Sequence, residues 1–232
     1  LVDNNAIWVG TGDEGVYKYE NRTLTNYNSA NGMGGNVVRS ILKDKKGVIW
    51  FATDGGLTKF ENNKFSTFTT KNGLPTNAIR TLMLDSQKNL WIGTSGGGLS
   101  VLKNGTFTNF GDNEGLIHNY VHSLFEDKKG NIWIGTGNGI HKMTNNIISN
   151  YSNSSGICNT YIGSITQDEF GDMWFGTDRC VVKYDGVDFK SLTTENGLSS
   201  NTVYFILNDQ SKNIWVGTNN GVDKISLNSY GQ

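Results

Sequence analysis

An all-β fold, a β-propeller of four-stranded antiparallel blades, is predicted by three observations. All six tryptophans fall in one short motif: Trp8-Val9-Gly10-Thr11, Trp50-Phe51-Ala52-Thr53, Trp91-Ile92-Gly93-Thr94, Trp133-Ile134-Gly135-Thr136, Trp174-Phe175-Gly176-Thr177 and Trp215-Val216-Gly217-Thr218. Successive tryptophans are 42, 41, 42, 41 and 41 residues apart, and so even a spacing is an internal repeat. Each repeat divides into four runs of β-forming residues between Asp, Asn and Gly turns, the pattern of a propeller blade. No segment carries apolar residues at helical spacing, which excludes a helical solenoid.

The second repeat shows the elements in order. Val37–Lys43 is a first strand, and Asp44-Lys45-Lys46-Gly47 turns the chain. Asp suits the first place of a type I turn, and Gly the left-handed place that closes a bulged hairpin. Val48–Thr53 is the second strand and carries the tryptophan; Asp54-Gly55-Gly56 turns into Leu57–Phe60, and Asn62-Asn63 turns into Lys64–Phe68. The connection Lys71–Asn77 leads to the next repeat. Lys88 and Lys212 stand where other copies of the first turn have Gly, so keeping the bulge there carries modest strain.

Each tryptophan is expected between neighbouring blades, where burial contributes up to about 4–6 kcal/mol per copy. The small residue two places on (Gly10, Ala52, Gly93, Gly135, Gly176 or Gly217) shares its face and lets the next blade approach.

Composition narrows the function. With 30 Gly and 1 Pro the chain can make many tight turns between strands. A net charge of −1 leaves no basic excess for phosphate backbones, which argues against nucleic acid as a partner. Lys and Arg read as scattered through the turns. No run is long and apolar enough to span a membrane, so membrane contact is expected only through segments of a parent protein. Leu1-Val2-Asp3 aligns with Leu42-Lys43-Asp44, and is read as a clipped strand in a piece of a longer chain.

Approximate repeat units are 1–35, 36–76, 77–118, 119–159, 160–200 and 201–232, treated as one propeller segment over 1–232. Last strands of repeats are expected at Thr23–Tyr27, Lys64–Phe68, Thr106–Phe110, Ile147–Tyr151 and Asp188–Leu192, and none after Val222–Leu227. That makes about six blades, four complete and two partial, the portion of a larger propeller; a closed ring is the alternative.

The series Asn72-Gly73-Leu74, Asn77, Ile79, Asp85, Trp91-Ile92-Gly93-Thr94 and Gly98-Leu99, recurring nearly throughout the chain, resembles the two-component regulator propeller repeat. The resemblance implies an extracytoplasmic, periplasmic sensor propeller of a histidine kinase or hybrid system, with the kinase elsewhere in the parent chain. It implies an oligosaccharide or other small-molecule ligand, a homodimer formed through the parent protein, and no cofactor.

In a propeller the first strands line the channel, and one rim gathers the connections between repeats and the turns after the tryptophan strand. The residue after the Val or Ile near the start of the first strand varies: Arg39, Arg80, His122, Gly163, Tyr204. Arg, His and Tyr there suit a polar or anionic ligand; the alternative is solvated positions free to drift. Tyr120 and Tyr161 on the same rim could stack on a sugar, with core packing as the alternative. The Asn-Gly pairs of the connections 71–77, 113–119, 153–159 and 195–201 are turn formers first.

Cys158 takes the place of Pro75 and Cys180 that of Gly56, both on one rim of one repeat. A paired substitution to a disulfide, fitting an oxidising compartment, and two unrelated thiols are both open. The three histidines are too dispersed for a metal site. No catalytic triad order, phosphate-cradling loop or acid/base pair stands out. The Asp-x-x-Gly-x-x-Trp series is similar to the Asp-box of sialidase propellers, which has one residue fewer and is structural there. A sensor module is therefore the reading, with a lyase or glycosidase, remotely similar to virginiamycin B lyases, and a protein-interaction propeller as alternatives.

Overall fold

Five of the six Asp residues that open the first turn of a repeat do more than turn the chain. Asp127 shows the pattern: its Oδ1 accepts the backbone N–H of Lys129 and of Asn131, both at 2.9 Å, and its Oδ2 accepts the Trp133 indole N–H at 2.9 Å. One carboxylate thus folds the turn and fixes the tryptophan of the strand leaving it. The same bond joins Trp50 to Asp44 (3.1 Å), Trp91 to Asp85 (2.9 Å), Trp174 to Asp168 (2.8 Å) and Trp215 to Asp209 (2.7 Å).

The computed structural model describes residues 1–3, 5–151, 154, 156–158, 161–209 and 211–227. Asn153 and Asn159 of one predicted connection, Gln210 of the last first-turn, and residues 228–232 after the last expected strand lie outside the described residues.

Six antiparallel sheets follow one another in the chain. The first is β1 (Val2–Asp3), β2 (Ala6–Gly10), β3 (Val16–Glu20) and β4 (Thr23–Tyr27). The second is β5 (Val38–Lys43), β6 (Ile49–Thr53), β7 (Gly56–Glu61) and β8 (Lys64–Phe68). The third is β9 (Ile79–Leu84), β10 (Leu90–Thr94), β11 (Leu99–Lys103) and β12 (Thr106–Phe110). The fourth is β13 (Val121–Glu126), β14 (Ile132–Thr136), β15 (Gly139–Thr144) and β16 (Ile147–Asn150). The fifth is β17 (Ile162–Gln167), β18 (Met173–Thr177), β19 (Val181–Tyr184) and β20 (Phe189–Leu192). The sixth, among the described residues, is β21 (Val203–Asn208), β22 (Asn213–Thr218) and β23 (Gly221–Ser226). The predicted propeller architecture is thus observed, with the two-residue β1 as its first strand.

The chain divides into two compact units, Leu1–Gly111 with Asn119–Val121, and Asp112–His118 with His122–Gln232. Inside the first, Trp8 packs on Phe51 and Phe60 of the following sheet, at ring distances of 5.7 and 5.3 Å. Trp50 shares a core with Ile79, Leu82 and Ile92 of the third sheet. Inside the second, Trp133 meets Phe175 and Tyr184 at 5.5 and 5.7 Å, and Trp174 shares a core with Val203, Ile206 and Val216. These indoles fill seams between sheets, as the repeat predicts. Trp215, on the last described sheet, is only half-buried.

The small residue after each tryptophan makes close approach possible. A Cβ on Gly10 would lie 2.7 Å from Val38 Cγ1, and one on Gly135 would lie 2.7 Å from the Ile162 carbonyl oxygen, both in the next sheet. The first turns keep the bulge, with φ of 72° at Lys88 and 62° at Lys212, so two lysines hold the left-handed conformation that Gly holds elsewhere.

Two features depart from the sequence reading. The connections are not plain loops: single 3-10 turns stand at Ser29–Asn31, Thr70–Asn72, Asp112–Glu114 and Thr194–Asn196. The lysines are not simply scattered through the turns. One recurs in the third strands, where the sequence already places Lys59 and Lys224, with Nζ 5.2–5.9 Å from the facing indole: Lys18 on Trp8, Lys59 on Trp50, Lys142 on Trp133, Lys183 on Trp174 and Lys224 on Trp215. They cover the indole face with an aliphatic stem and a cation–π contact. In the third sheet Val101 pairs with Trp91 in that place.

Candidate functional site

The rim expected to bind is built by residues whose work is local. The threonine of each tryptophan motif staples the turn that follows. Thr136 Oγ1 donates to the Gly139 carbonyl at 3.1 Å and accepts the Asn138 N–H at 3.0 Å. Thr11, Thr53, Thr94, Thr177 and Thr218 make the same pair of bonds in their repeats.

The Asn-Gly-Leu series is equally occupied. Asn72 Oδ1 accepts the Thr69 N–H at 2.9 Å while Thr69 caps the 3-10 turn, and Gly73 ends it in the left-handed region at φ 106°. Asn77 Oδ1 accepts the Thr70 N–H at 2.9 Å, and Leu74 is buried beneath. Asn31, Gly32 and Asn36, and Asn196, Gly197 and Asn201, repeat the arrangement. These Asn side chains are therefore committed to backbone groups.

The connection and the turn after the tryptophan strand meet at this rim, as expected. Val38 N–H donates to the Thr11 carbonyl at 2.8 Å, and Gly96 N–H to the Asn119 carbonyl at 3.0 Å. In the fifth sheet a disulfide joins Cys158 to Cys180 across the same two elements, with a Cα separation of 6.3 Å. Cys180 and its neighbour Val182 are fully buried.

Four of the five variable positions prove to be bulges. The pairing of β5 with β6 skips from Val38 to Ser40, that of β9 with β10 from Ile79 to Thr81, that of β17 with β18 from Ile162 to Ser164, and that of β21 with β22 from Val203 to Phe205. Arg39, Arg80, Gly163 and Tyr204 are the residues left over. A bulge residue has no cross-strand partner to satisfy and re-aims its side chain, which gives a physical reason for variation there.

The structure brings these residues together in two groups. In the first unit β5 lies beside β9, setting exposed Arg39 and half-buried Arg80 at matching positions on adjacent strands. Tyr120 belongs to this unit; its phenol ring passes the Gly96 backbone and the residue is 49% exposed rather than packed in a core. In the second unit the His122 and Tyr161 rings lie 4.5 Å apart, and a Cβ on Gly163 would come within 2.9 Å of Tyr161 Cε1. The missing side chain at that bulge makes room for the tyrosine. Tyr204, 64% exposed, occupies the bulge of β21, which lies beside β17.

Sequence reasoning missed His141. It is fully buried in β15, with Nε2 3.1 Å from Asn150 Nδ2 and no hydrogen-bond partner for Nδ1. Burial is the largest cause, opposed by the Gly139 backbone, and with the neighbouring His118 it holds the pKa down at about 4. The signal was faint: a lone His where other repeats have Thr58, Ser100 or Val182. Among the described residues no group of three or more His, Cys, Asp or Glu could hold a metal ion. Clefts of about 340, 300 and 280 Å³ are lined by none of Arg39, Arg80, Tyr120, His122, Tyr161 and Tyr204.

The family profile described as two component regulator propeller matches residues 32–55, 73–96, 115–138, 156–179 and 197–220, together more than half of the chain. The chain belongs to that family. Each matched stretch of this propeller family runs from a connection through a first strand and its tryptophan to the following turn, the part the Asn, Asp, Trp and Thr bonds hold. No curated protein sequence matches the chain.

Among solved structures, an extracellular domain assigned to a hybrid two component system of B. thetaiotaomicron superposes with TM-score 0.84 at 24% identity, over 99% of this chain and 34% of that one. An extracellular domain assigned to a one component system of the same organism gives 0.78 at 25% identity, over 97% and 32%. Virginiamycin B lyase from Staphylococcus aureus gives 0.76 at 15% identity, over 98% and 79%, a likeness of fold alone. The chain spans about a third of the length of the two B. thetaiotaomicron chains. Among the described residues no helix is long and apolar enough to cross a membrane.

Proposed function

We propose that this propeller segment is part of the extracytoplasmic, ligand-sensing region of a bacterial two-component regulator, and that it binds an oligosaccharide at the strand-start rim and signals to a kinase elsewhere in the parent protein. One observation carries the reading: the repeated Asn, Asp, Trp and Thr are consumed by the fold, while Arg39, Arg80, Gly163 and Tyr204 are bulge residues that the strand ladders skip. Arg39 and Arg80 offer forked donors to hydroxyl, carboxylate or sulfate oxygens. Taken by itself, the second unit offers ring faces of the kind that stack on sugars, in the His122–Tyr161 pair and Tyr204. Family membership and the extracellular neighbours support the same class. A periplasmic location and a homodimer formed through the parent protein belong to this proposal.

The test is a thermal-shift screen of the full extracellular region of the parent protein against glycan oligosaccharides, with each hit checked for turnover. A stabilising ligand recovered intact, whose effect is lost in Arg39→Ala with Arg80→Ala but whose absence leaves the variant folded, supports the proposal. A consumed ligand would make the protein an enzyme, and a ligand indifferent to both arginines would overturn the site.

A further inference from the structure

Arg39 and Arg80 are the bulge residues of β5 and β9, which lie beside each other in the first unit. Each carries a full positive charge, and like charges at matching positions on neighbouring strands repel. Three lysines of the same unit find carboxylates: Lys18 meets Glu20, Lys43 meets Asp3 and Lys59 meets Glu61. Among the described residues neither Arg39 nor Arg80 has an ion pair or a hydrogen bond. Asp54, on the turn after β6, turns its carboxylate to the Val37 N–H at 3.2 Å instead. An unpaired lysine on a surface turn is fully solvated; Arg80 is half-buried, so water screens its neighbour less. At the same place in the second unit stand His122, Gly163 and Tyr204, so the arginine pair belongs to the first unit alone.

That arrangement discriminates among ligands by charge. A neutral hydroxyl accepts a hydrogen bond from a guanidinium and leaves the repulsion as it was. A carboxylate or sulfate accepts forked bonds from both side chains and offsets the repulsion between them. Two uncompensated charges on a chain of net charge −1 suit one acidic group on an otherwise polar molecule, not a polyanion, which needs a long basic surface. An aromatic face stands close by in the same unit. Tyr120 pairs with Ser95, whose N–H donates to the Ala78 carbonyl at 2.9 Å, two residues before Arg80. The tyrosine is 49% exposed, with its ring beside Gly96, and an exposed phenol face can carry a sugar ring.

We propose that Arg39 and Arg80 act together as a clamp for a single acidic group, a uronate carboxylate or a sulfate ester, on an oligosaccharide whose sugar ring lies against Tyr120. This rests on the rim reading given above and narrows it from polar glycans to acidic ones.

Calorimetric titration of the full extracellular region of the parent protein gives the test. The probes are matched pairs, xylotriose with glucuronosyl-xylobiose and galactotriose with its monosulfated form, and sodium sulfate alone. At least one acidic probe should bind about tenfold or more tightly than its neutral counterpart, and the pair that responds tells carboxylate from sulfate. Raising salt from about 0.05 to about 0.3 M should weaken that acidic probe several-fold and leave the neutral probes unchanged. Arg39→Ala and Arg80→Ala should each weaken it by about tenfold or more, while Tm is kept or raised because each relieves the repulsion. Arg22→Asn removes a positive charge from the β3–β4 turn, where Asn63 and Asn146 hold the same place in other repeats, and should change nothing. A neutral probe that binds as tightly as its acidic counterpart and is lost in both arginine variants overturns the clamp while the rim reading stands. An acidic probe held at full affinity by both variants, or sodium sulfate bound as tightly as the sulfated sugar, overturns the clamp. Binding by none of the probes overturns the clamp and the rim reading together.

Discussion

Asp127 Oδ2 accepts the Trp133 indole N–H at 2.9 Å, six residues along the chain and wholly inside the protein. The turn that opens a blade and the side chain that seals its seam are therefore one unit. Burial alone would raise the Asp127 pKa, but the hydrogen bonds from Asn131, Trp133 and the backbone outweigh it and hold the carboxylate below its ordinary range.

Removing that carboxylate should unfold two things at once. Asp127→Ala leaves the buried Trp133 N–H and two turn N–H groups unmatched and is expected to cost about 2–4 kcal/mol. Asp3→Ala, which removes a half-buried ion pair with Lys43 but no indole hydrogen bond, should cost less, on the order of 1 kcal/mol. Urea unfolding of both variants checks the contrast; equal losses would refute the assigned role.

Gly135 should accept no side chain. A Cβ there would meet the Ile162 carbonyl oxygen at 2.7 Å, backbone that cannot step aside. Gly135→Val is expected to lose about 3 kcal/mol or more, the upper range for overpacking. Gly12, with nothing within 4 Å of a built Cβ, is the control, and Gly12→Ala should stay within about 0.5 kcal/mol.

Acid should weaken the fold through His141. Its folded pKa of about 4 lies below the ordinary 6.5, so the unfolded chain binds the proton first. The stability this neutral imidazole contributes is complete above pH 6.5 and is lost as pH falls towards 4. At about 1.4 kcal/mol per pKa unit the loss is on the order of 3 kcal/mol. Below that, Asp209, held near 2 by its bonds from Trp215 and Asn213, adds a second decline as it protonates. Stability measured from pH 7.5 to 4 should show the first slope, and His141→Gln should flatten it.

The disulfide closes a loop between Cys158 and Cys180, 22 residues apart. Reduction is expected to lower stability by about 3 kcal/mol on the loop-entropy estimate, seen as a lower Tm with dithiothreitol that Cys158→Ser with Cys180→Ser reproduces. Two thiols titrating in the untreated protein would contradict the bond.

Much of the fold was readable from residue order alone. Six tryptophans at even spacing, followed two places on by Gly or Ala, specify strands that bury one face and seams that tolerate no bulk. The turn residues specify where strands end, since Lys88 and Lys212 take φ of 72° and 62° in the place of Gly. Such features are legible because they depend on backbone stereochemistry and on a period repeated six times.

Other features had to wait for coordinates. That Asp44, Asp85, Asp127, Asp168 and Asp209 reach an indole six residues later depends on how a turn bends a side chain back over its own strand. That Lys142 covers Trp133 depends on cross-strand register, and that Arg39 and Arg80 are bulge residues depends on which pairs the ladder skips. Sequence determined which residues form blades; tertiary structure decided which polar atoms meet, because hydrogen bonds act over about 3 Å while a sequence pattern locates a side chain only to a face. Trp8 shows the difference: Asp3 stands five residues before it where the other repeats have six, a small change in the letters, and the Trp8 indole nitrogen has no hydrogen-bond partner.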